Sequence, residues 1–427
     1  MNKRIDIHHV TRVEGHGNIV VEVKDGKMTE CRFDVVEAPR FFEAMLRGRP
    51  YLEASHITSR ICGICATGHA TTSLRASEAA LDVELSEQTK LLRKLVFHGE
   101  ILDSHILHAY MLVAPDFLGV GSVIPLATSH RDVVLRALRM KKLSGDLCAA
   151  ISGRHTHPIA MTVGGFTHFP TAAELTALRQ RLIDSRADVD ATVELFASLS
   201  WPKFERDTEY ISLYKPDEYA FIDGEIKSSD GATIPAERYA EVTNEYLVQH
   251  SSAKLTRHKR GSYMVGALAR FNNNYEQLHP RAKAAAQKLG MQPKITNPYY
   301  NTAAQVVEIV HCTEDAIRLI DELLSRGIKP EEPAPARPKK DARGVGVCEV
   351  PRGLLIHCYE IQEDGSLSGA DCIIPTNQNV ANIEADMRSL VPQILDKPVE
   401  AMQLDLEMLV RAYDPCISCS VHVLKLD

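Results

Sequence analysis

Arg60-Ile61-Cys62-Gly63-Ile64-Cys65-Ala66-Thr67-Gly68-His69 carries two cysteines at C-x-x-C spacing with a histidine close behind. Its counterpart lies at the far end of the chain: Asp414-Pro415-Cys416-Ile417-Ser418-Cys419-Ser420-Val421-His422. Together the two pairs offer four thiolates, a donor set for a soft transition metal. A zinc ribbon closes its ligand set within a few tens of residues. Here most of a 427-residue chain separates Cys65 from Cys416. The site can form only when the whole chain has folded, which suggests chemistry at the metal. Spacing by itself leaves zinc, an iron–sulfur centre and nickel with iron all open.

Composition sets the frame. Hydrophobic content of 44% and charged content of 25% are those of a soluble globular protein. The length allows one large unit or two or three packed lobes. Apolar runs such as Val133-Val134-Leu135 are soon broken by charge, so no membrane insertion is expected. The start, Met1-Asn2-Lys3-Arg4-Ile5-Asp6, has no apolar signal core, and a cytoplasmic location is expected. A net charge of −7 argues against broad nucleic-acid binding. Ten cysteines are sparse for a disulfide scaffold of this length. The six outside the two pairs (Cys31, Cys148, Cys312, Cys348, Cys358, Cys372) read as buried apolar residues.

The expected fold class is mainly α with smaller β portions, an α+β chain in one large unit. Residues 1–37 read as strands, with Asp25-Gly26 as a hairpin turn. Residues 38–328 read as a helical core with a β excursion at 208–240. Within it, Leu91, Leu92, Leu95, Ile101, Leu102, Ile106, Leu107 and Met111 give helical spacing over 87–113, too apolar for a surface helix. Further helices are expected at 130–150, 171–198, 276–289 and 302–326. The proline- and charge-rich stretch 329–343 reads as a surface connection. A C-terminal lobe, 344–422, reads as strands to Pro375 and then helices at about 379–392 and 398–411. No solenoid repeat is present.

Other segments mix polar chemistry with tight packing. Arg12-Val13-Glu14-Gly15-His16-Gly17 sets a carboxylate among glycines, which permit close backbone approach. Taken alone, Glu14 is equally an exposed strand residue. In Glu349-Val350-Pro351-Arg352-Gly353 the arginine is either an ordinary surface-turn residue or a buried set of donors for an anion. Pro375-Thr376-Asn377 reads as a strand exit whose hydroxyl and amide are also suited to a small anionic ligand.

Taken together and in order from residue 12 to residue 422, these segments closely resemble the signature segments of nickel–iron hydrogenase large subunits. They are Arg12-Val13-Glu14-Gly15-His16, Arg60-Ile61-Cys62-Gly63-Ile64-Cys65 with His69, Pro351-Arg352-Gly353, Pro375-Thr376, and Asp414-Pro415-Cys416 with Cys419 and His422. The C-terminal motif looks most like the soluble, multisubunit branch that couples hydrogen to NAD(P), sulfhydrogenases included. The resemblance implies a site for each residue. Cys62 and Cys416 are implied as terminal nickel ligands, Cys65 and Cys419 as bridges to an iron that carries CN⁻ and CO. Glu14 is implied as a proton relay, Arg352 as a cation over the open position paired with Asp414, Thr376 with Pro375 as the cyanide contact, and His69 as a partner of a bridging thiolate. Glu43, His422 and a backbone carbonyl near Cys372 are implied as magnesium ligands. Where many relatives have an aspartate before the helix histidine, this chain has Ser104 before His105. Residues 423–427 are expected to be a tail removed after nickel insertion, by a maturation protease working with nickel chaperones.

The physics fits this mapping: splitting H2 heterolytically needs a metal for the electron pair and a base for the proton. The chain has no further cysteine cluster and no Gly-x-Gly-x-x-Gly. Electrons are therefore expected to leave through an iron–sulfur small subunit to an acceptor bound by a further subunit; the resemblance implies diaphorase and NAD(P)-binding iron–sulfur subunits, with sulfur, F420-type and heterodisulfide routes also open. Two rivals stand beside this reading: a subunit like the quinone-site subunit of respiratory complex I, which lacks the four cysteines, and a zinc-stabilised scaffold.

Overall fold

The fold is that of a computed structural model, which describes residues 2–421. His422 and the tail 423–427 lie outside the described residues. Helix outweighs strand, about 48% to 18%, which is the expected α+β balance.

The chain opens with β1 (Lys3–Ile7), β2 (Gly17–Lys24) and β3 (Lys27–Val35), an antiparallel meander in sequence order. Asp25 and Gly26 join β2 to β3 at φ of 51° and 74°, which the tight hairpin turn requires and Asp and Gly tolerate.

Helices follow. α1 (Ala66–Ala80) is built of Ala, Thr and Ser and is buried over nearly its whole length. α2 (Glu87–Leu107) starts at Ser86, whose side chain accepts the Thr89 N–H, a normal N-cap. The apolar stripe read over 87–113 is helical throughout, but His108–Val113 widens to a π-helix, a feature common at functional sites. α3 (Arg131–Ser152) ends at Gly153, where φ is 83°. The stretch 171–198 forms two helices, Ala172–Asp184 and Arg186–Ala197. They part at Ser185, whose hydroxyl donates to Leu182 O at 2.8 Å and competes with the backbone ladder.

The β excursion begins at Glu209 but runs on to Met264, beyond the expected limit at 240. Its first strand, Glu209–Tyr214, pairs in parallel with its last, Tyr263–Met264, so the unit closes only when the chain returns. Strands of two or three residues are too short for alternation to reveal them. Next come α4 (Ala267–Asn274) and α5 (Tyr300–Arg326). The connection after α5 is tied down: Ala334 N–H donates to Gly164 O at 2.9 Å, and Glu331 accepts the Ser86 and Thr89 hydroxyls.

β4 (Ala342–Val350), β5 (Gly353–Ile361) and β6 (Leu367–Ile373) form a second meander. Val350 pairs with Gly353, which leaves Pro351 and Arg352 as a two-residue turn. α1 lies across β4 at backbone contact. A Cβ at Gly344 would come within 2.2 Å of Ala76 O, and one at Gly346 within 2.1 Å of Thr72 O. The start of α1, next to Cys65, therefore sits by the turn that carries Arg352.

α6 (Pro375–Ile394) begins directly after β6, with Pro375 in its first turn, where a proline suits a helix. Pro375-Thr376-Asn377 is thus a helix start, not the strand exit read from the sequence. α7 (Val399–Ala412) stops where Asp414 takes φ of 52°. Asp is one of the few side chains that visit this left-handed region at modest strain. The largest buried apolar cluster reaches from Ile5 to Val421 and holds all four paired cysteines, so both chain ends share one core.

Candidate metal centre

The two ends of the chain meet at Glu14. It bridges to Cys416 in parallel, and its carbonyl accepts the Ile417 N–H at 2.8 Å. Gly15 makes this approach possible: its φ is 85°, and a Cβ there would stand 2.7 Å from Ser418 N. The carboxylate turns the same way. Glu14 Oε2 lies 3.1 Å from Cys416 Sγ and accepts the Ser418 N–H at 3.1 Å, while Oε1 accepts the Ser418 hydroxyl.

Cys62, Cys416 and Cys419 offer sulfurs that all lie within 4.8 Å of one another. Cys62 Sγ and Cys416 Sγ are 3.6 Å apart. Two thiolates at about 2.3 Å from one tetrahedral metal sit roughly 3.8 Å apart, so the spacing fits shared ligation. Cys65 joins from the base of α1: its N–H donates to Cys62 Sγ at 3.1 Å. Cys416 and Cys419, expected as metal-binding thiolates, are joined as a disulfide. Their Cα atoms are 5.4 Å apart, a separation a disulfide spans without backbone movement. Metal ligation by all four sulfurs requires the pair in its reduced form.

The Pro351-Arg352 turn places its guanidinium among these sulfurs. Arg352 Nη1 donates to Cys65 Sγ at 3.1 Å, and Nε donates to the carbonyl and carboxylate of Asp414 at 2.7 and 3.1 Å. Burial works against the charge on Arg352, but Asp414 and then Cys65 and Cys62 more than offset it and shift the group up. Cys62 is drawn down to about 7, first by the hydrogen bond from the Cys65 thiol, with Arg352 helping against burial. That same bond, with burial, pushes Cys65 up. On the other flank, Thr376 Oγ1 accepts the Cys416 N–H at 3.0 Å. A hydroxyl that accepts keeps its own hydrogen to donate.

The remaining expected residues sit close by. His69 is buried on α1, with Nδ1 3.3 Å from His357 Nε2, and His357 Nδ1 is 2.9 Å from the Tyr359 hydroxyl. Glu43 accepts the Cys372 N–H at 2.9 Å and lies 3.6 Å from Lys254 Nζ. This contact brings Glu43 next to the backbone at Cys372. Burial pushes the Glu43 carboxyl up.

Several groups escaped sequence reasoning. Ser418 pins the Glu14 carboxylate from both main chain and side chain. Glu100 on α2 accepts the Thr67 and Gly68 N–H groups at 2.6 and 2.9 Å, which anchors the start of α1 beside Cys65. Burial, and next Cys62, push its carboxyl well up. An acid inside the apolar stripe of the helix was the available signal. Gln305 on α5 donates to Asp414 Oδ2 at 3.0 Å and meets His108 Nδ1 at 2.5 Å. Nothing in local spacing joins these residues.

Clustered cysteine sulfurs, a fixed cation, a carboxylate on one of those sulfurs and a spare hydroxyl suit a redox-active soft-metal centre better than a sealed structural site. Comparison with known proteins agrees. The family model described as nickel-dependent hydrogenase matches residues 40–132 and 207–422, and a second, described as HoxL-like, matches residues 4–38. The chain is 36% identical to the sulfhydrogenase 1 alpha subunit of Pyrococcus furiosus, covering 99% of this chain and 98% of that protein. It is 27% identical to the beta subunit of the NAD-reducing hydrogenase HoxS of Cupriavidus necator, over 99% of this chain and 96% of that one. A chain of a solved NAD+-reducing [NiFe]-hydrogenase in the H2-reduced state superposes with a TM-score of 0.88 at 29% identity, covering 98% of this chain and 99% of its own. The chain therefore belongs to the nickel-dependent hydrogenase family, as a catalytic large subunit.

Proposed function

We propose that Cys62, Cys65, Cys416 and Cys419 hold a nickel–iron group at which H2 is reversibly cleaved into two protons and two electrons. When bound, that group supplies Lewis acidity toward H2 and accepts its electrons. The chain's own residues do the rest. Glu14 accepts the proton at Oε2, where Ser418 holds the carboxylate against Cys416. Glu14 is half-buried, and both of its carboxylate oxygens are engaged by Cys416 and Ser418. Arg352, held in place by Asp414, turns its guanidinium on the sulfurs as a preorganised cation that needs no reorganisation during the reaction. Thr376, at the helix start with Pro375, accepts the Cys416 N–H and would donate its own hydroxyl hydrogen to a cyanide carried by the iron, with the backbone near Pro375 beside it. His69 braces the Cys65 helix from within. Glu43, His422 and a backbone carbonyl near Cys372 would hold a magnesium ion, with Lys254 3.6 Å from the Glu43 carboxylate.

Electrons leave to an iron–sulfur small subunit and on to NAD(P) through diaphorase and iron–sulfur subunits. The similarity to the NAD-reducing relatives supports that route. A maturation protease with nickel chaperones would complete the C-terminus. No helix among the described residues is long and apolar enough to cross a membrane, and we read the enzyme as cytoplasmic.

The carrying observation is the 3.1 Å contact between Glu14 and Cys416 Sγ. Glu14→Gln keeps the shape and one of the two acceptor oxygens that Ser418 uses but removes the base. It should retain nickel and iron and lose H2/D2 exchange by a factor of about 10² or more. Exchange at the normal rate would sink the relay.

A further inference from the structure

One group of buried charges touches none of the sulfurs, yet it grips the Arg352 turn. Arg270 on α4 is fully buried. Its Nη1 donates to Val350 O at 3.0 Å and its Nη2 to Pro351 O at 3.0 Å, the two carbonyls directly before Arg352. On its other side Glu308 of α5 accepts two bonds of 2.6 Å, and Glu349 accepts one of 2.9 Å. Glu308 is itself held by His105 Nε2 of α2 at 2.7 Å and by the Tyr219 hydroxyl at 2.7 Å. The turn is closed from beneath as well. A Cβ at Gly266 would lie 3.2 Å from Arg352 O, and one at Gly353 would lie 2.5 Å from Val265 Cγ2.

A hairpin turn at a surface leaves its carbonyls to water; a buried one must find donors in the protein. The planar fork of an arginine can reach two carbonyls and two carboxylates at once, which a lysine cannot. Stability is a poor reason for such a cluster, because well-packed apolar residues often replace buried ion pairs at no loss. What the cluster does supply is a tie from one buried side chain to the two carbonyls directly before Arg352.

We propose that Arg270, anchored by Glu308 and Glu349, is a positioning residue for hydrogen cleavage: it fixes the Val350–Gly353 turn and thereby sets where the Arg352 guanidinium stands against Cys65 and Asp414. This rests on the reading of Arg352 as the fixed cation of the site.

The test is a double-mutant cycle in the assembled enzyme with Arg270→Lys, Arg352→Lys and the pair. Arg270→Lys should keep nickel, iron and the KM for H2, while kcat falls about tenfold. Backbone amide exchange across residues 350–355 should quicken at the same time, a readout independent of turnover. In the Arg352→Lys background, Arg270→Lys should lower kcat by less than about twofold more, because the guanidinium it positions is gone. Equal losses in both backgrounds would overturn the proposal, as would unchanged amide exchange. Arg352→Lys with normal kcat would identify the reading of Arg352 as the failure, and the positioning role would fall with it. If Arg270→Lys does not assemble, Glu308→Gln removes the anchor's charge and keeps its shape. It should show the same non-additive loss, and additivity there would equally overturn the proposal.

Discussion

Glu14 joins the two ends of the chain with its carbonyl and the sulfur site with its carboxylate. Thr376 does similar double service through one oxygen. Thr376→Val would strand the buried Cys416 N–H, at a cost of about 1–3 kcal/mol. A lower denaturant midpoint should show it, and an unchanged midpoint would mean the amide finds another partner. Glu308 carries the clearest pH signature. Burial opposes its charge, but Arg270 and His105 more than compensate and draw the carboxyl to about 2, from an ordinary 4.5. A carboxyl lowered on folding adds stability above its unfolded value and loses it as pH falls through the folded one. The loss between about pH 4.5 and 2 should reach roughly 3 kcal/mol. Glu349, pushed up to about 7 by burial, adds the opposite slope, lost as pH rises from about 4.5 to 7, so the effect of Glu308 is read below pH 4.5. Glu308→Gln should flatten the acid limb of a midpoint-against-pH series; an unaltered limb would contradict this.

At the scale of elements, the approach of α1 to β4 sets the geometry of the site. It brings Cys65, at the start of α1, next to the Pro351-Arg352 turn at the end of β4. Gly346→Ala would drive a methyl to 2.1 Å from Thr72 O. It should destabilise the chain by about 1–3 kcal/mol and lower nickel retention; full retention with a normal midpoint would show that the helix can shift freely. The elements most legible in the sequence are those with long periodic stripes. α2 and α5 could be read from their apolar spacing, and the Asp25-Gly26 hairpin from its turn chemistry. Three features could not be read. The π-turn at His108–Val113 keeps helical spacing while changing the hydrogen bonds. The break at Ser185 keeps helical backbone angles, with no Gly or Pro to mark it. The β excursion closes through a parallel pair of two-residue length. The charged cluster round Arg270 was invisible for another reason: its partners lie 38 and 79 residues away, and no local spacing encodes that.

Over the whole molecule, a single core holds both cysteine pairs, so the metal site and the finished fold are one event. The motifs at Glu14, Cys62, Cys65, Arg352, Thr376, Asp414, Cys416 and Cys419 converge on one place from five separate stretches of chain. The sequence shows which residues belong together because a family's order can be matched; it does not show the contacts that hold them. Cys419→Ala should assemble without stoichiometric nickel and iron and lose H2 turnover entirely, whereas near-normal turnover would remove Cys419 from the ligand set. The most direct test of the central claim is metal analysis with infrared spectroscopy on the purified, assembled enzyme. Nickel and iron in stoichiometric amounts, with bands from CO and CN⁻, are the predicted result. Zinc alone, with no such bands, would contradict a nickel–iron centre held by these four cysteines.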